Sequence, residues 1–270
     1  MIFETATEGV LVIGNRINAR ARSVRPDEIR RGDTGRLILE AGRQLEAGAQ
    51  ALDVNLGKSA ADSDLMRLAV SCLENRFGVP LAVDSPIPEV LLAGLAEAHG
   101  KVILNSVSAA EKPMRLLLPA AARREIVVIG LAMGDQGLPG TWKERFHNAQ
   151  NIVHGAFAEG VSLENLVIDT VLLPVRFYPD QIFETLTALK AVKDEYGVKT
   201  CLGISNVSFG LAERGPANAA FLELAVAFGL DIAIADPLDR FLMDTAKSGR
   251  KEKPARDRVE HFVENYAAHG

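Results

Sequence analysis

Short apolar runs alternate with longer amphipathic stretches along the whole chain. The runs fall at residues 10–14, 51–54, 80–83, 102–104, 126–132, 166–168, 200–204 and 231–235. Each is rich in Val, Ile, Leu and Ala with few polar interruptions, as strands buried on both faces should be. Between them, helical patterns cover 37–45, 63–77, 89–99, 146–159, 181–196 and 219–228. A glycine follows each of these: Gly48, Gly78, Gly100, Gly160, Gly197 and Gly229. Glycine just past a helix supplies the left-handed backbone that closes it. Eight strands, each followed by a helix, is the count of a closed parallel barrel. The expected fold class is therefore α/β, a single (β/α)8 barrel domain spanning 1–270, with an open doubly wound sheet as the runner-up.

Composition narrows the classes. Hydrophobic residues make up 48% and charged residues 24% of the 270, enough for a sizeable core. A net charge of -5 gives no reason to expect nucleic acid or an anionic membrane as partner. The two cysteines, Cys72 and Cys201, are too few for a disulfide framework or a cysteine-rich metal site. No apolar run approaches the roughly 20 residues of a spanning helix, and the N-terminal stretch lacks a basic leader. A cytoplasmic location is expected. The basic residues between Lys247 and Arg258 read as a solvated loop leading into the last helix.

Barrel enzymes place their chemistry where strands run into the following loops. Those positions hold Asn15, Asp53 with Asn55, Asp84, Asn105, Asp169, Ser205 with Asn206, and Asp236; only the fifth strand, ending near Met133, lacks a short polar residue there. A lone Asp or Asn after a strand often caps the next helix, and Asp84 before Ser85-Pro86 fits that role too. Asp53 and Asn55, two apart, point to the same side of their strand, as do Ala82 and Asp84. A small alanine at an inward position leaves room above it for a ligand. Carboxylates and carboxamides ringed in this way complement a flat heterocycle carrying N–H donors and a carbonyl. A hard-oxygen metal site is the competitor. Zinc does not fit, because all five histidines fall in predicted helices or tails. No lysine stands at a strand end for Schiff-base chemistry, and no phosphate-cradling GxxxxGK[ST] loop occurs.

Val12-Ile-Gly-Asn-Arg-Ile-Asn18 resembles the opening strand motif of the pterin-binding methyltransferases, which move a methyl group between N5 of tetrahydrofolate and the cobalt of a corrinoid protein. The likeness continues at Ala51-Leu-Asp-Val-Asn-Leu-Gly57, Val83-Asp-Ser85, Ile103-Leu-Asn-Ser106, Val167-Ile-Asp169, Leu202-Gly-Ile-Ser-Asn-Val-Ser208 and Ala233-Ile-Ala-Asp236. The folate domain of cobalamin-dependent methionine synthase and dihydropteroate synthase are more distant members of the group. The resemblance implies that Asp84, Asn105 and Asp169 hydrogen-bond the pterin ring, with Asp169 facing the 2-amino group and N3–H. It implies that Asn206 approaches N5 and is the catalytic residue, and that Asp53, Asn55, Ser205 and Arg214 line the same mouth. Asn206 would act electrostatically, since an amide does not titrate in the useful range. Departures occur at Asn15, where the family has an acid, at Pro86 where Thr is common, and at Thr170 where Pro is frequent. They leave the proposed ring contacts in place.

The resemblance also implies tetrahydrofolate or 5-methyltetrahydrofolate as substrate, no metal bound by the chain, and a corrinoid protein acting in trans. No Asp-x-His-x-x-Gly cobalamin segment occurs in these residues. A homodimer formed through the barrel side is expected. The direction stays open between one-carbon assimilation and the tetrahydrofolate-methylating step of an O- or N-demethylase system. Three other classes compete. A dihydropteroate synthase would want a phosphate-gripping early loop, of which Asn18-Ala-Arg-Ala-Arg-Ser23 is a poor version. A metal-dependent lyase would use Asp53, Asp84, Asp169 and Asp236. A non-catalytic folate binder would need nothing at N5.

Overall fold

Every apolar run becomes a strand of one closed barrel, in a computed structural model that describes residues 9–19, 23–56, 62–124, 126–248 and 253–267. The strands are β1 (Leu11–Asn18), β2 (Ala51–Asn55), β3 (Leu81–Asp84), β4 (Val102–Ser108), β5 (Val127–Leu131), β6 (Leu166–Asp169), β7 (Lys199–Gly203) and β8 (Ile232–Ala235). They pair in parallel in chain order, and β8 closes on β1. The open sheet is thereby excluded. The helices are α1 (Pro26–Arg30), α2 (Gly35–Glu46), α3 (Ser63–Phe77), α4 (Pro88–Glu97), α5 (Glu111–Ala122), α6 (Trp142–Ala158), α7 (Gln181–Tyr196), α8 (Arg214–Ala227), α9 (Arg240–Ser248) and α10 (Arg256–Ala267).

Helices α3 and α7 coincide with the periodicity and end at Gly78 and Gly197, each with φ 63° as a left-handed cap. Gly100 does not cap a helix. Helix α4 stops at Glu97, Ala98 is already extended, and the His99 and Gly100 N–H groups donate to the Glu74 carboxylate instead. Helix α5 carries Pro119 in its interior and lacks a glycine stop, so hydrophobic pattern and punctuation conflict there. Of the basic cluster, Lys247 lies in α9 and Arg256 and Arg258 in α10; residues 249–252 lie outside the described residues. Helix α10 packs across α8, with the Phe262 ring 5.6 Å from that of Phe221.

The lumen and the helix layer are separate cores. One cluster takes a residue from every strand, among them Ile13, Ala51, Ala82, Ile103, Ile129, Val167, Cys201 and Ile234. Side chains from all eight strands meet only inside the barrel, so these positions point inward. Two larger clusters hold the alternate strand residues against the helices. Period-two alternation then fixes what stands above the lumen floor: Asn15, Asp53, Asp84, Asn105, Asp169, Gly203 and Asp236 share the parity of the inward residues. Among the described residues no helix is long and apolar enough to cross a membrane.

Candidate active site

The mouth of the barrel is built from two polar pairs, a turn and a bulge. Asp53 is 3% exposed, and its carboxylate accepts the Asn105 side-chain N–H at 2.9 Å. Asn55 donates to the Asp84 carboxylate at 2.6 Å. The two pairs sit side by side, because Asp84 and Asn105 are register partners across β3 and β4. Asp84 does not cap α4. The cap residue of that helix is Ile87, and its N–H bonds Ser85 Oγ at 3.1 Å. Burial, and after it the neighbouring Asp84, push the Asp53 carboxyl well above the ordinary carboxylate range, while the Asn105 hydrogen bond pulls it down.

Asp169 ends β6. Its Oδ1 accepts the Val171 N–H at 2.7 Å, which draws Val171 into left-handed backbone with φ 64°. A β-branched residue pays strain to sit there. Thr185 helps to hold the turn by donating its hydroxyl to the Val171 carbonyl at 3.0 Å. Burial raises the Asp169 carboxyl to about 6, against the Val171 hydrogen bond and the Arg145 charge, which both lower it.

Asn206 closes a short 3-10 turn, Ile204–Asn206, immediately after β7. It is exposed, unlike the ring of carboxylates. Gly203 below it shares the lumen parity, and a Cβ there would meet Asn206 Nδ2 at 2.9 Å. The Asn206 amide therefore lies over the inner end of β7, in the space the missing side chain leaves. Ser205 accepts the Asn15 side-chain N–H at 3.3 Å, and Arg214 donates to Ser208 Oγ (2.9 Å) and the Ser205 carbonyl (2.5 Å). Arg214 thus braces the turn that carries Asn206.

Sequence reasoning missed the residues under the β1 side. Strand β1 runs four residues past Gly14, through a bulge where its register against β2 shifts between Gly14 and Ile17. The bulge turns Arg16 toward Glu40 and toward Asp236, whose Oδ2 accepts at 2.7 Å. Arg16, Asn15, Ser205, Arg214 and Asp236 line a cleft of about 590 Å³, with Phe209 on its edge. Arg145 was also missed. No signal short of the three-dimensional contacts marks it, since it sits mid-helix in α6. Of the eight residues predicted for the site, Asp53, Asn55, Asp84, Asn105 and Asp169 lie toward the ends of β2–β4 and β6, Ser205 and Asn206 in the turn after β7, and Arg214 opens α8 and reaches back to that turn. Gly57 of the second motif and residues 20–22 of the early loop lie outside the described residues. Among the described residues no three His, Cys, Asp or Glu side chains gather as a metal-holding group.

A closed parallel barrel with carboxylates and carboxamides at its strand ends is the architecture of the (β/α)8-barrel class. The chain belongs to the pterin binding enzyme family, whose model matches residues 14–236. It is 24% identical over 238 residues to a methylcorrinoid:tetrahydrofolate methyltransferase of Eubacterium limosum, covering 87% of this chain and 88% of that protein. It is 29% identical over 240 residues to a methionine synthase of Mycobacterium tuberculosis, covering 83% of this chain but only 20% of that much longer protein. Among solved structures it resembles a Yersinia pestis dihydropteroate synthase bound to a pterine-sulfa conjugate, with a TM-score of 0.63, 17% identity, and coverage of 96% and 95% of the two chains. At that identity the likeness concerns the fold.

Proposed function

We propose that the protein moves a methyl group between N5 of (methyl)tetrahydrofolate and the cobalt of a corrinoid protein that docks in trans over the barrel mouth. The observation that carries this reading is Asp169 at the end of β6 and Asn206 in the turn after the neighbouring β7, its amide over the gap at Gly203. The ionised Asp169 carboxylate accepts from the pterin N3–H and 2-amino groups. The Asn105–Asp53 and Asn55–Asp84 pairs hold their amides in fixed orientation toward the rest of the ring. In transfer from folate, the C–N5 bond breaks, its electron pair stays on nitrogen, and N5 takes a proton from solvent. The cobalt(I) of a docked corrinoid would take up the methyl group with its own electron pair. In the other direction the N5 lone pair would take the methyl from methylcobalt, the Co–C pair would stay on cobalt, and N5 would release its proton to solvent. Asn206 supplies a hydrogen-bonding partner at N5 that matters most as charge changes there.

Docking in trans is supported by the apolar side chains that follow the strand ends on this face. Leu138, Phe177, Tyr178, Phe209, Leu238 and Phe241 are all exposed, and they follow strands β5 to β8 in order. Apolar groups clustered around a polar mouth suit a protein partner.

The test is conversion of 5-methyltetrahydrofolate to tetrahydrofolate with reduced cobalamin, in the presence of a strong chelator. Asn206→Ala should lower the transfer rate on the order of 10²–10³-fold and weaken folate binding far less. A variant with normal turnover and only a raised KM would reduce Asn206 to a binding residue. Condensation of a dihydropterin pyrophosphate with p-aminobenzoate, with no demethylation, would move the protein to the synthase branch. Activity abolished by the chelator would favour the metal-dependent lyase.

A further inference from the structure

Among the described residues, Arg145 is the largest side chain that the fold buries completely. Its guanidinium reaches three separate segments. Nε donates to the Thr170 carbonyl at 2.9 Å, Nη1 to the Pro139 carbonyl at 3.0 Å, and Nη2 to Gln181 Oε1 at 3.0 Å. Every one of those partners is neutral. The carboxylates that feel the charge are Glu184, Glu144 and Asp169, in that order. The first two are otherwise engaged, Glu184 with the Trp142 N–H and Glu144 with the Gly140 N–H. Asp169 sits one residue from the Thr170 carbonyl that Arg145 grips, and Cys201 flanks it on β7. A buried cation among neutral partners is a poor choice for stability alone, because an apolar residue of similar volume avoids its desolvation.

We propose that Arg145 is a positioning residue for Asp169, clasping the loops after β5 and β6 so that the carboxylate is both aimed into the mouth and kept anionic. This rests on Asp169 being the pterin contact. Arg145 does not touch the mouth and acts only through the Thr170–Val171 turn and through its charge. An arginine keeps that charge even when buried, where a lysine would shed it more readily.

A merely structural arginine would hold the loops without setting the titration of Asp169, and this separates the two roles. The measurement is the carboxyl ¹³C shift of labelled aspartate against pH in the ligand-free protein, with Asp169 assigned by Asp169→Asn. The wild-type midpoint is expected at about 6. In Arg145→Gln it should move up, because a charge that lowers it is gone. Affinity for 5-methyltetrahydrofolate should fall about fivefold at pH 6 and recover only in part by about pH 9, since the ionisation returns but the clasp does not. Arg145→Lys should also raise the midpoint, because a buried amine sheds its charge more readily. An unmoved midpoint in a folded Arg145→Gln variant overturns the proposal. Should that variant not fold, an unmoved midpoint in Arg145→Lys overturns it. Wild-type protein that binds no folate sinks the functional reading alone, since the carboxyl titration needs no ligand.

Discussion

At Asp169 function and stability pull in opposite directions. Its carboxyl titrates near 6 in the folded protein, above its ordinary value in an unfolded chain of about 3.9. Between those values the native state holds a proton that the unfolded chain has released. The contribution of this group to stability is therefore highest below about pH 4 and is lost as pH rises through 6. Asp169→Asn removes that penalty and keeps an acceptor for the Val171 N–H. The variant should melt several degrees higher at pH 7.5, on the order of 1–2 kcal/mol, with no gain at pH 4. It should also lose tetrahydrofolate binding, because an amide meets two N–H donors with only one acceptor. Calorimetric melts and titrations at both pH values would check this, and an equal gain at pH 4 would discount the titration. Asp84 makes a related point about what sequence can show. Its position before Ser85-Pro86 suits a helix cap as well as a ligand contact, and the choice shows only in the fold, where Ile87 takes the cap position and Asn55 bonds the Asp84 carboxylate.

Among the elements, β1 is the one whose strand geometry most directly shapes the mouth. A side chain at Gly14 would meet Gln44 Oε1 at 2.5 Å, so the glycine leaves the buried Gln44 amide its place. That buried oxygen accepts the Arg16 N–H at 3.0 Å, so Gln44 satisfies the backbone group that the bulge leaves without a strand partner. Gln44→Leu should cost roughly 1–3 kcal/mol and loosen Asn15 and Arg16 together. Urea denaturation reads the first effect, and a loss smaller than Gln→Leu at an exposed helix site would show the bond to be idle. The bulge also explains why the apolar run suggests a strand ending at Gly14. Polar Asn15 and Arg16 interrupt the pattern although the strand continues to Asn18. Helix α5 escapes detection for the opposite reason, a proline inside a stretch that is otherwise helical. Strand ends and their parity were legible because Asp53, Asn55, Ala82 and Asp84 obey a period of two. The polar pairs, the Arg16–Glu40 contact and the reach of Arg145 to Thr170 were not, since each spans at least 24 positions by way of a side chain.

For the whole molecule, the barrel assigns its polar chemistry and its exposed apolar loops to the same face. Phe209 and Phe241 are 61% and 63% exposed there. Replacing both with Ser should leave transfer to free cobalamin within about twofold and reduce kcat/KM with a cognate corrinoid protein roughly ten- to thirtyfold. Equal losses with both acceptors would mean that the aromatic side chains serve the folate site and no docking surface is involved. The lumen beneath that face carries small side chains, Ala51 and Ala82, on β2 and β3, between Ile13 on β1 and Ile103 on β4, with Val167 and Cys201 across from them. Asp53 and Asp84 are the next inward residues above those alanines. The edge of a planar ligand can therefore settle deeper against these two strands than against the isoleucines beside them. Ala82→Val would fill that hollow; it should weaken tetrahydrofolate affinity in calorimetric titration, and an unchanged affinity would show that the ligand never reaches so far down.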